Sequence, residues 1–405
     1  MKKRAVTIVL CLALALFSVL RAYAEAGTAT ENTAKAESTV QGIVPAGIQE
    51  FDVPCAAAIL IDEDSGTVLY EKNADEQRPI ASITKVMTLL LTFQALEEGK
   101  ISLEDYVPVN EHAYSMGGSQ IWLEPGEQMT LNDMLKAICV SSANDAAVAV
   151  AEYVGGSEPV FVQMMNEKAA ELGMTATHFE NACGLDQEGH LSSARDVAIM
   201  SREMLLNHTE VRDYCSIWTD TLRDGATQLV NTNKLLKSYN GITGLTTGTT
   251  SKAGVCIAAS AERNGLRLIA VVLGSASGTE RFQAATALLD YGFANYENVT
   301  AQLPEDTPQT LPVTRGTAEA VTLQYDAPKQ CLMPKGQGEA LQITLELPET
   351  LTAPVEAGSS VGTVYLRNGE ELLQTFSITA AQDVEALSFG YCFGLLVQSL
   401  ALCDG

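Results

Sequence analysis

Two pairs of apolar, strand-like runs bracket a long helical pattern, and this order limits the fold more than any other feature of the sequence. The first pair, AAAILIDEDSGTVLYEKN, turns at 64–66, and the second, GVCIAASAERNGLRLIAVVLG, turns at 263–265. Both turns contain Gly and indicate β-hairpins. A helical pattern then ends near Tyr296. The order predicts an α+β fold, in which helices flank an antiparallel sheet whose first and last strands are adjacent.

The pattern changes after this block. Residues 299–385 contain short alternating runs such as LQITLELPET and SVGTVYLRNGEELLQTFSI, with Asn-Gly and other Gly- or Pro-containing turns, and predict a small all-β domain. The tail, 386–405, is apolar on nearly every side. A helix over 389–403 would be roughly 22 Å long, short of the roughly 30 Å hydrocarbon core of a bilayer. We expect this tail to dip into a membrane surface; the alternative is a helix packed on the β domain.

The N-terminus has the pattern of an export signal. Residues 1–24 combine a basic start, an apolar run and an Ala-x-Ala ending, which predicts a cleaved signal peptide; the alternative is a retained membrane anchor. Residues 25–45 are small and polar and predict a linker. The main domain is then expected over 46–298. The protein is therefore expected to be exported.

Charge and cysteine spacing exclude several classes of function. The formal net charge is −25, whereas nucleic-acid binding depends on clustered Lys and Arg, so no nucleic-acid partner is expected. The cysteines are scattered without a CxxC or Cys/His cluster, which predicts no zinc site and no other metal or cofactor. Their mostly apolar surroundings suggest small buried hydrophobes rather than a disulfide framework.

The stretch IASITKVMTLLLTFQALEEGK begins an apolar helix with Ser82 and Lys85, one turn apart. Residues at this spacing lie on one helix face, so the two side chains can meet. A desolvated lysine can accept the proton of a serine hydroxyl and so make it a nucleophile. Taken alone, the spacing favours the alternative, a serine N-cap followed by a solvated lysine.

Two later stretches contain a second and a third candidate group. LNDMLKAICVSSANDAAVAVAEYVGG predicts two helices with Ser142 and Asn144 at their junction. Either the Ser142 hydroxyl acts in a proton relay and the Asn144 amide contacts Lys85 and a substrate carbonyl, or both residues cap the second helix. NGITGLTTGTTSKAGVCIAASA places Thr246, Thr247 and Gly248 at the start of a long strand. The glycine allows another backbone to approach closely; the alternative is an ordinary Thr-rich edge strand.

Ser-x-x-Lys, Ser-x-Asn and a Thr-Thr-Gly strand follow one another in a β/α context, and in this order the chain resembles the serine-type D-alanyl-D-alanine carboxypeptidases, the low-molecular-mass penicillin-binding proteins. The likeness covers about 45–385 and includes RPIASITKVMT, SSANDAAVAVAE, MNEKAAELGMTATHFENACGLDQEGHLSSARD, NTNKLL and GLTTGTTSKAG. It implies a β-lactamase/transpeptidase-like fold, followed by a small β domain and a tail that holds the enzyme at the outer face of the cytoplasmic membrane.

The same resemblance implies roles for the motif residues. Ser82 would form the acyl-enzyme, Lys85 would act as general base and Ser142 would relay protons. Asn144 would position the substrate, and the strand at 246–248 would pair edge-on with the peptide. An oxyanion hole is expected from backbone N–H groups of Ser82 and of the 248–250 strand. The implied partners are peptidoglycan stem peptides ending in D-Ala-D-Ala, and β-lactam inhibitors.

Thr246 departs from the family pattern, which normally has Lys, and sometimes His, at this position. That cation would bind the terminal carboxylate of the substrate and would help to keep Lys85 neutral. Thr246 can supply only a neutral hydrogen bond, about half as strong as a charge-assisted one. Lys252 and Arg195 are the candidates that the sequence offers for replacing the charge.

The leading hypothesis is therefore a serine D,D-carboxypeptidase that removes the terminal D-Ala from stem peptides, with weakening by Thr246. The alternative is a relative that binds stem peptides or penicillin without useful turnover. A serine β-lactamase is disfavoured because 155–195 contains no Glu-x-x-Leu-Asn run. No Ser-His-Asp pattern is evident, and His190, in LDQEGHLSS, is expected to be structural.

Overall fold

The structure is a computed structural model that describes residues 51–300, 302–326, 330–337 and 341–402. The predicted signal peptide, 1–24, and the predicted linker, 25–45, lie outside the described residues. The last three residues of the apolar tail also lie outside them.

A five-stranded antiparallel sheet forms the centre of the main domain. Its strand order is β2-β1-β9-β8-β7, so the first and last strands along the chain, β1 and β9, are hydrogen-bonded neighbours. This confirms the adjacency predicted from the order of the apolar runs. The strands are β1 (Ala57–Asp62), β2 (Val68–Lys72), β7 (Ile242–Thr250), β8 (Gly254–Arg263) and β9 (Leu266–Ser275).

Both predicted hairpins are present, and local chemistry forms their turns. In the first, the Asp62 carboxylate accepts hydrogen bonds from the backbone N and the hydroxyl of Ser65, at 2.7 and 2.6 Å. In the second, Asn264 and Gly265 both have positive φ, 52° and 79°, as a two-residue hairpin turn requires.

Helices cover both faces of the sheet, which explains why its inner strands are apolar at nearly every position. The first face packs against the helical block between β2 and β7, and α9 covers the second face. The helices are α1 (Lys85–Glu97), α2 (Glu111–Tyr114), α3 (Leu131–Ser141), α4 (Asn144–Gly155), α5 (Glu158–Glu171), α6 (Ala194–Asn207), α7 (Val211–Cys215), α8 (Leu235–Ser238) and α9 (Gly278–Asn295).

Two short strand pairs belong to the helical block, β3 with β4 and β5 with β6. A one-turn 3₁₀ helix, Ala81–Thr84, leads directly into α1 and carries the candidate nucleophile. The four strands are β3 (Tyr106–Pro108), β4 (Gln128–Thr130), β5 (Thr219–Leu222) and β6 (Thr227–Val230).

The C-terminal region is all-β, as the short alternating runs predicted. Its six-stranded sheet has the order β14-β16-β17-β12-β11-β15 around a separate apolar core, and β10 pairs with β13. The strands are β10 (Tyr296–Val299), β11 (Thr310–Thr314), β12 (Ala320–Tyr325), β13 (Cys331–Pro334), β14 (Leu341–Glu346), β15 (Leu351–Thr352), β16 (Ser360–Asn368) and β17 (Glu371–Ala380).

The described part of the apolar tail forms helix α10 (Phe389–Leu402), 14 residues or about 21 Å long. Phe389 and Phe393 are 86% and 57% exposed, and the Tyr391 hydroxyl donates a hydrogen bond to the carbonyl of Thr317. Among the described residues, no helix combines the length and the apolar character needed to cross a bilayer.

Candidate active site

Ser82 lies in the 3₁₀ turn that leads into α1. Two glycines, Gly184 and Gly248, pack closely against the backbone of this turn. A Cβ added at Gly184 would lie 1.9 Å from the carbonyl oxygen of Ala81, and one added at Gly248 would lie 2.9 Å from the amide nitrogen of Ser82. Real Cβ atoms do not approach other atoms so closely. The expectation that Gly248 allows close backbone approach is therefore met, and its neighbour is the backbone of the candidate nucleophile.

Lys85 is the first residue of α1 and is almost fully buried, at 1% exposure. Its Nζ lies 2.9 Å from Ser82 Oγ, 2.6 Å from Asn144 Oδ1 and 2.8 Å from the carbonyl oxygen of Cys183. None of these partners carries a negative charge. A buried ammonium without an ion partner is costly, and this favours the neutral amine.

Burial lowers the pKa of Lys85 from its usual value of 10.5 to about 8. At pH 7 about one molecule in ten then has a neutral amine at this position. A neutral amine has two N–H donors and one lone pair. With the two N–H groups directed at Asn144 and at the carbonyl of Cys183, the lone pair is left to face the hydroxyl of Ser82.

Ser142 and Asn144 lie at the junction of α3 and α4. Ser142 has left-handed backbone angles, φ 55° and ψ 38°, and ends α3, while Ala143 precedes α4 without a side-chain cap. The capping alternative is therefore wrong for Asn144, whose amide is used elsewhere. Its Oδ1 faces Lys85, its Nδ2 donates to the carbonyl of Gly117 at 2.7 Å, and its backbone N donates to Ser119 at 2.7 Å.

The Ser142 hydroxyl is buried, and among the described residues it has no hydrogen-bond partner. A buried polar atom without a partner is uncommon in folded proteins and calls for an explanation. The structure therefore brings Ser82, Lys85 and Asn144 into direct contact but does not join Ser142 to them. The relay role of Ser142 remains a prediction.

A loop that follows α5 supplies two groups that sequence reasoning did not assign, the Asn181 side chain and the Cys183 carbonyl. Asn181 Oδ1 accepts hydrogen bonds from the backbone N of Gly184 at 2.7 Å and of Cys183 at 3.3 Å, and so directs the Cys183 carbonyl towards Lys85. The Thr88 hydroxyl donates to the carbonyl of Ala182 at 2.6 Å. The sequence signal was an Asn two residues before the Cys-Gly pair, a common turn pattern.

His190 has the structural position expected of it. Its Nδ1 accepts from the backbone N of Glu180 at 3.0 Å, so its Nε2 is the donor to the Thr84 hydroxyl, 2.7 Å away. Thr84 in turn donates to the carbonyl of Ala81. Burial lowers the pKa of His190 to about 4, so the ring stays neutral and joins this loop to the turn that carries Ser82.

Thr246, Thr247 and Gly248 lie in the second half of β7, not at its start as expected. The strand is the edge of the sheet, paired with β8 on one side. An edge strand has backbone groups that can pair with another chain. Both threonines are buried, at 7% and 6% exposure.

Thr246 borders a small cavity of about 10 Å³, enough for roughly one water molecule. Its lining includes Lys85, Ile138, Cys139, Cys215 and Thr246. A lysine in the usual family position would bring its charge to this part of the site. Thr246 brings no charge there.

Neither cation proposed to replace that charge contacts the motif strand. Arg195 pairs with Asp75 and Glu71, at 2.7 and 2.6 Å. Lys252 is exposed, and among the described residues its contact is a backbone N–H that donates to Asp186 at 3.3 Å. Both suggestions therefore lack support in the observed contacts.

Arg281, in the first turn of α9, reaches the 246–248 part of β7. Its Nη1 lies 3.3 Å from the carbonyl oxygen of Gly248 and 3.1 Å from that of Cys256. The side chain is buried, its Nε has no partner among the described residues, and burial lowers the pKa of the guanidinium. Sequence reasoning missed it because the contact depends on how α9 packs on β8.

The fold places a serine hydroxyl beside a buried lysine amine, an arrangement suited to a serine-nucleophile enzyme. The chain belongs to the D-alanyl-D-alanine carboxypeptidase family, which matches residues 45–277. The family "Penicillin-binding protein 5, C-terminal domain" matches residues 296–386.

Individual relatives agree with this assignment. D-alanyl-D-alanine carboxypeptidase DacF of Bacillus subtilis (strain 168) is 41% identical over 337 residues, 82% of this chain and 86% of the relative. Penicillin binding protein 5 from Haemophilus influenzae superposes with a TM-score of 0.74 at 30% identity, covering 84% of this chain and 100% of that one. Penicillin-binding protein D2 from Listeria monocytogenes, solved with ampicillin bound, has a TM-score of 0.56 at 32% identity over 60% of this chain and 100% of that one.

Proposed function

We propose that this protein removes the terminal D-Ala from peptidoglycan stem peptides by forming and then hydrolysing an acyl-enzyme on Ser82. The observation that carries the proposal is the buried amine of Lys85, 2.9 Å from the serine hydroxyl and without an ion partner. The membership of the chain in the D-alanyl-D-alanine carboxypeptidase family supports the choice of substrate.

In the first step, the lone pair of Lys85 accepts the proton of Ser82 while the serine oxygen attacks the carbonyl carbon of the penultimate D-Ala. The bond to the terminal D-Ala breaks, and the leaving amine takes a proton that Ser142 relays. In the second step, Lys85 takes a proton from the water that attacks the ester and returns it to the serine oxygen, and the shortened peptide leaves. Asn144 holds the Lys85 amine throughout, which preserves the direction of the lone pair.

Negative charge develops on the oxygen of the attacked carbonyl. Stabilising that charge requires hydrogen-bond donors that are already in position. We assign this role to the backbone N–H groups of Ser82 and of the 248–250 strand. The close approach of Gly248 to Ser82 supports the assignment, because it holds the two backbones side by side. The open edge of β7 then accepts the substrate as an added strand, with Thr246 and Thr247 beside it.

Recognition of the substrate's terminal carboxylate needs a cation that Thr246 does not supply. We assign this role to Arg281, because among the described residues it is the Lys or Arg whose side chain hydrogen-bonds to the 246–248 strand. Its buried guanidinium faces carbonyl oxygens rather than a carboxylate, so an incoming anion gains a charge-assisted interaction.

Thr246 also favours a second candidate, a weakly active relative that is acylated by penicillin and binds stem peptides with little turnover. Without a cation at position 246, substrate positioning depends on a neutral hydroxyl and on Arg281. Reduced carboxylate binding lowers peptidase turnover more than it lowers acylation by a strained β-lactam ring.

Location is a further part of the proposal. We infer that residues 1–24 direct export and that the tail holds the protein at the outer face of the cytoplasmic membrane. The exposed rings of Phe389 and Phe393 in α10 support the second point, because an apolar face exposed to water favours a lipid interface. Flotation with anionic liposomes tests it: the protein should float with the vesicles, and Phe389→Asn with Phe393→Asn should remain in the lower fractions.

Fluorescent penicillin and a D-Ala release assay together test the activity. Labelling with release of D-Ala from a D-Ala-D-Ala peptide supports the carboxypeptidase, and labelling without release supports the binding relative. Ser82→Ala should abolish both signals, whereas Ser115→Ala, at an exposed serine outside the site, should retain them. Persistent labelling in Ser82→Ala contradicts the assignment of the nucleophile.

A further inference from the structure

Trp122 presents its indole to water from a strained position in the loop between α2 and β4. The residue is 75% exposed, while its neighbours Ile121 and Leu123 are 2% and 1% exposed. Its φ is +59°, in the left-handed region that bulky side chains rarely adopt. With both neighbours anchored in the core, this backbone turns a large apolar ring outwards.

The strained backbone is held on its N–H side by a buried carboxylate. Asp145, 1% exposed, accepts hydrogen bonds from the backbone N of Ile121 and of Leu123, each at 3.1 Å to Oδ2. Asp145 directly follows Asn144 and lies in the first turn of α4. The conformation of Trp122 is therefore tied to the same helix terminus that positions the catalytic amine.

A second charged group holds the carbonyl side. Arg223 Nη1 donates to the carbonyl of Ile121 at 2.8 Å, and its Nη2 lies 3.3 Å from the carbonyl of Trp122. The guanidinium itself is fixed by Glu127, with 2.7 Å between Nε and Oε1. Backbone strain persists only where the surroundings impose it, and it concentrates at functional sites.

The loop also borders the cleft. The carbonyls of Gly117 and Ser119 accept hydrogen bonds from the side chain and the backbone N of Asn144, each at 2.7 Å. Trp122 follows Ser119 by three positions, a span of at most about 11 Å. The backbone of Trp122 therefore lies close to the loop carbonyls that contact Asn144.

Within the described part of the chain, no aromatic ring stacks on Trp122 and no cation lies over it. The other tryptophan, Trp218, has the Lys237 ammonium over its ring at 4.6 Å. An exposed indole without an internal partner is suited to contact a ligand, because tryptophan offers a large rigid surface at a low cost in side-chain entropy.

We propose that Trp122 is a stacking platform for the amino-sugar ring that carries the stem peptide, and that it makes the enzyme prefer glycan-linked peptides to free ones. This inference rests on the proposed function, since it assumes a peptidoglycan substrate. The apolar C–H face of a pyranose carries slight positive charge and packs on the electron-rich face of an indole. The continuity of the loop with Asn144 places this platform next to the peptide site.

Fluorescence reports on the contact directly, because the chain contains two tryptophans. Trp218→Phe leaves Trp122 as the single indole, and Ser82→Ala prevents turnover. A disaccharide-linked pentapeptide ending in D-Ala-D-Ala should shift the emission of this double variant to shorter wavelength, and the same pentapeptide without sugar should not. Equal shifts from both peptides overturn the inference alone; calorimetric binding of neither peptide contradicts the proposed function as well.

Kinetics supply the second readout. The quantity is the kcat/KM for the sugar-linked pentapeptide divided by the kcat/KM for the free pentapeptide. A general loss of active enzyme lowers both values equally and leaves this ratio unchanged. Trp122→Ala should lower this ratio about fivefold, and Trp122→Phe should retain most of it. Tyr106→Ala, which removes another exposed aromatic ring (63%), should leave the ratio unchanged. An unchanged ratio in Trp122→Ala, or an equal fall in Tyr106→Ala, overturns the inference.

Discussion

The two halves of the cleft differ in how fully their polar groups are satisfied. In the lysine half, formed by Ser82, Lys85 and Asn144, the Lys85 amine has three oxygen partners within 2.9 Å. In the strand half, formed by Ser142 and 246–248, the Ser142 hydroxyl has no partner among the described residues and Thr246 borders a cavity.

The difference separates two tasks of one reaction. The groups proposed to remove the serine proton already hydrogen-bond to one another, so the proposed acylation needs little reorganisation. The groups proposed to recognise the substrate carboxylate include a hydroxyl without a partner among the described residues. The comparison therefore predicts that changes in the lysine half reduce all acylation, whereas changes at Ser142 or Thr246 act mainly on peptide turnover.

The largest effect is expected from Lys85→Met, which keeps the length of the side chain but removes the amine. Acylation of Ser82 by penicillin should slow about a thousandfold, because general-base catalysis is lost. Stopped-flow or gel-based labelling rates measure the effect. Lys100→Met, at an exposed lysine, is the matched control, and a loss of less than tenfold in Lys85→Met would contradict the base assignment.

Gly248→Ala affects both halves of the cleft, because Gly248 lies in the strand half and contacts the backbone of Ser82. The added Cβ would lie 2.9 Å from the Ser82 nitrogen and 3.0 Å from the carbonyl oxygen of Ile80, so β7 must shift away from the nucleophile. We expect acylation to fall about a hundredfold, since displacement of about 1 Å has such consequences. Gly278→Ala meets no atom within 4 Å and serves as the control. Normal acylation in Gly248→Ala would mean that this contact is dispensable.

Thr246→Lys should have a smaller and opposite effect, confined to the strand half. A cation at this position adds a charge-assisted bond to the substrate carboxylate and lowers the pKa of Lys85 further, so D-Ala release should rise about tenfold. Thr246→Val, which removes the hydroxyl and adds no charge, should lower it. No gain in Thr246→Lys, together with loss in Arg281→Lys, would show that Arg281 already fills the role.

The architecture was predictable because it depends on patterns local to the sequence. The apolar runs at 57–72 and 254–275, with their Gly-containing turns, define the hairpins, and strand order follows from the helical block between them. The spacing of Ser82 and Lys85 likewise fixes them on one helix face. In each case the signal comes from residues that are close together in the sequence.

The missed features depend on contacts between distant segments. Asn181 acts on Lys85 through the Cys183 carbonyl, and Arg281 reaches Gly248 only because of the way α9 packs. The positive φ of Trp122 is imposed by Asp145 and not by local propensity. Side-chain partners of this kind are set by tertiary packing, which a single sequence does not encode in any local pattern.

In the proposed mechanism a neutral Lys85 amine takes the proton from Ser82. The pH dependence of the rate of penicillin acylation measures this requirement for a neutral amine. Because burial lowers the pKa of Lys85 from 10.5 to about 8, the amine becomes neutral as pH rises through 8. The acylation rate constant should therefore rise about tenfold per pH unit below 8 and level off above about 9. A rate that is flat from pH 6 to 10, or one that still rises steeply at pH 10, would contradict the account.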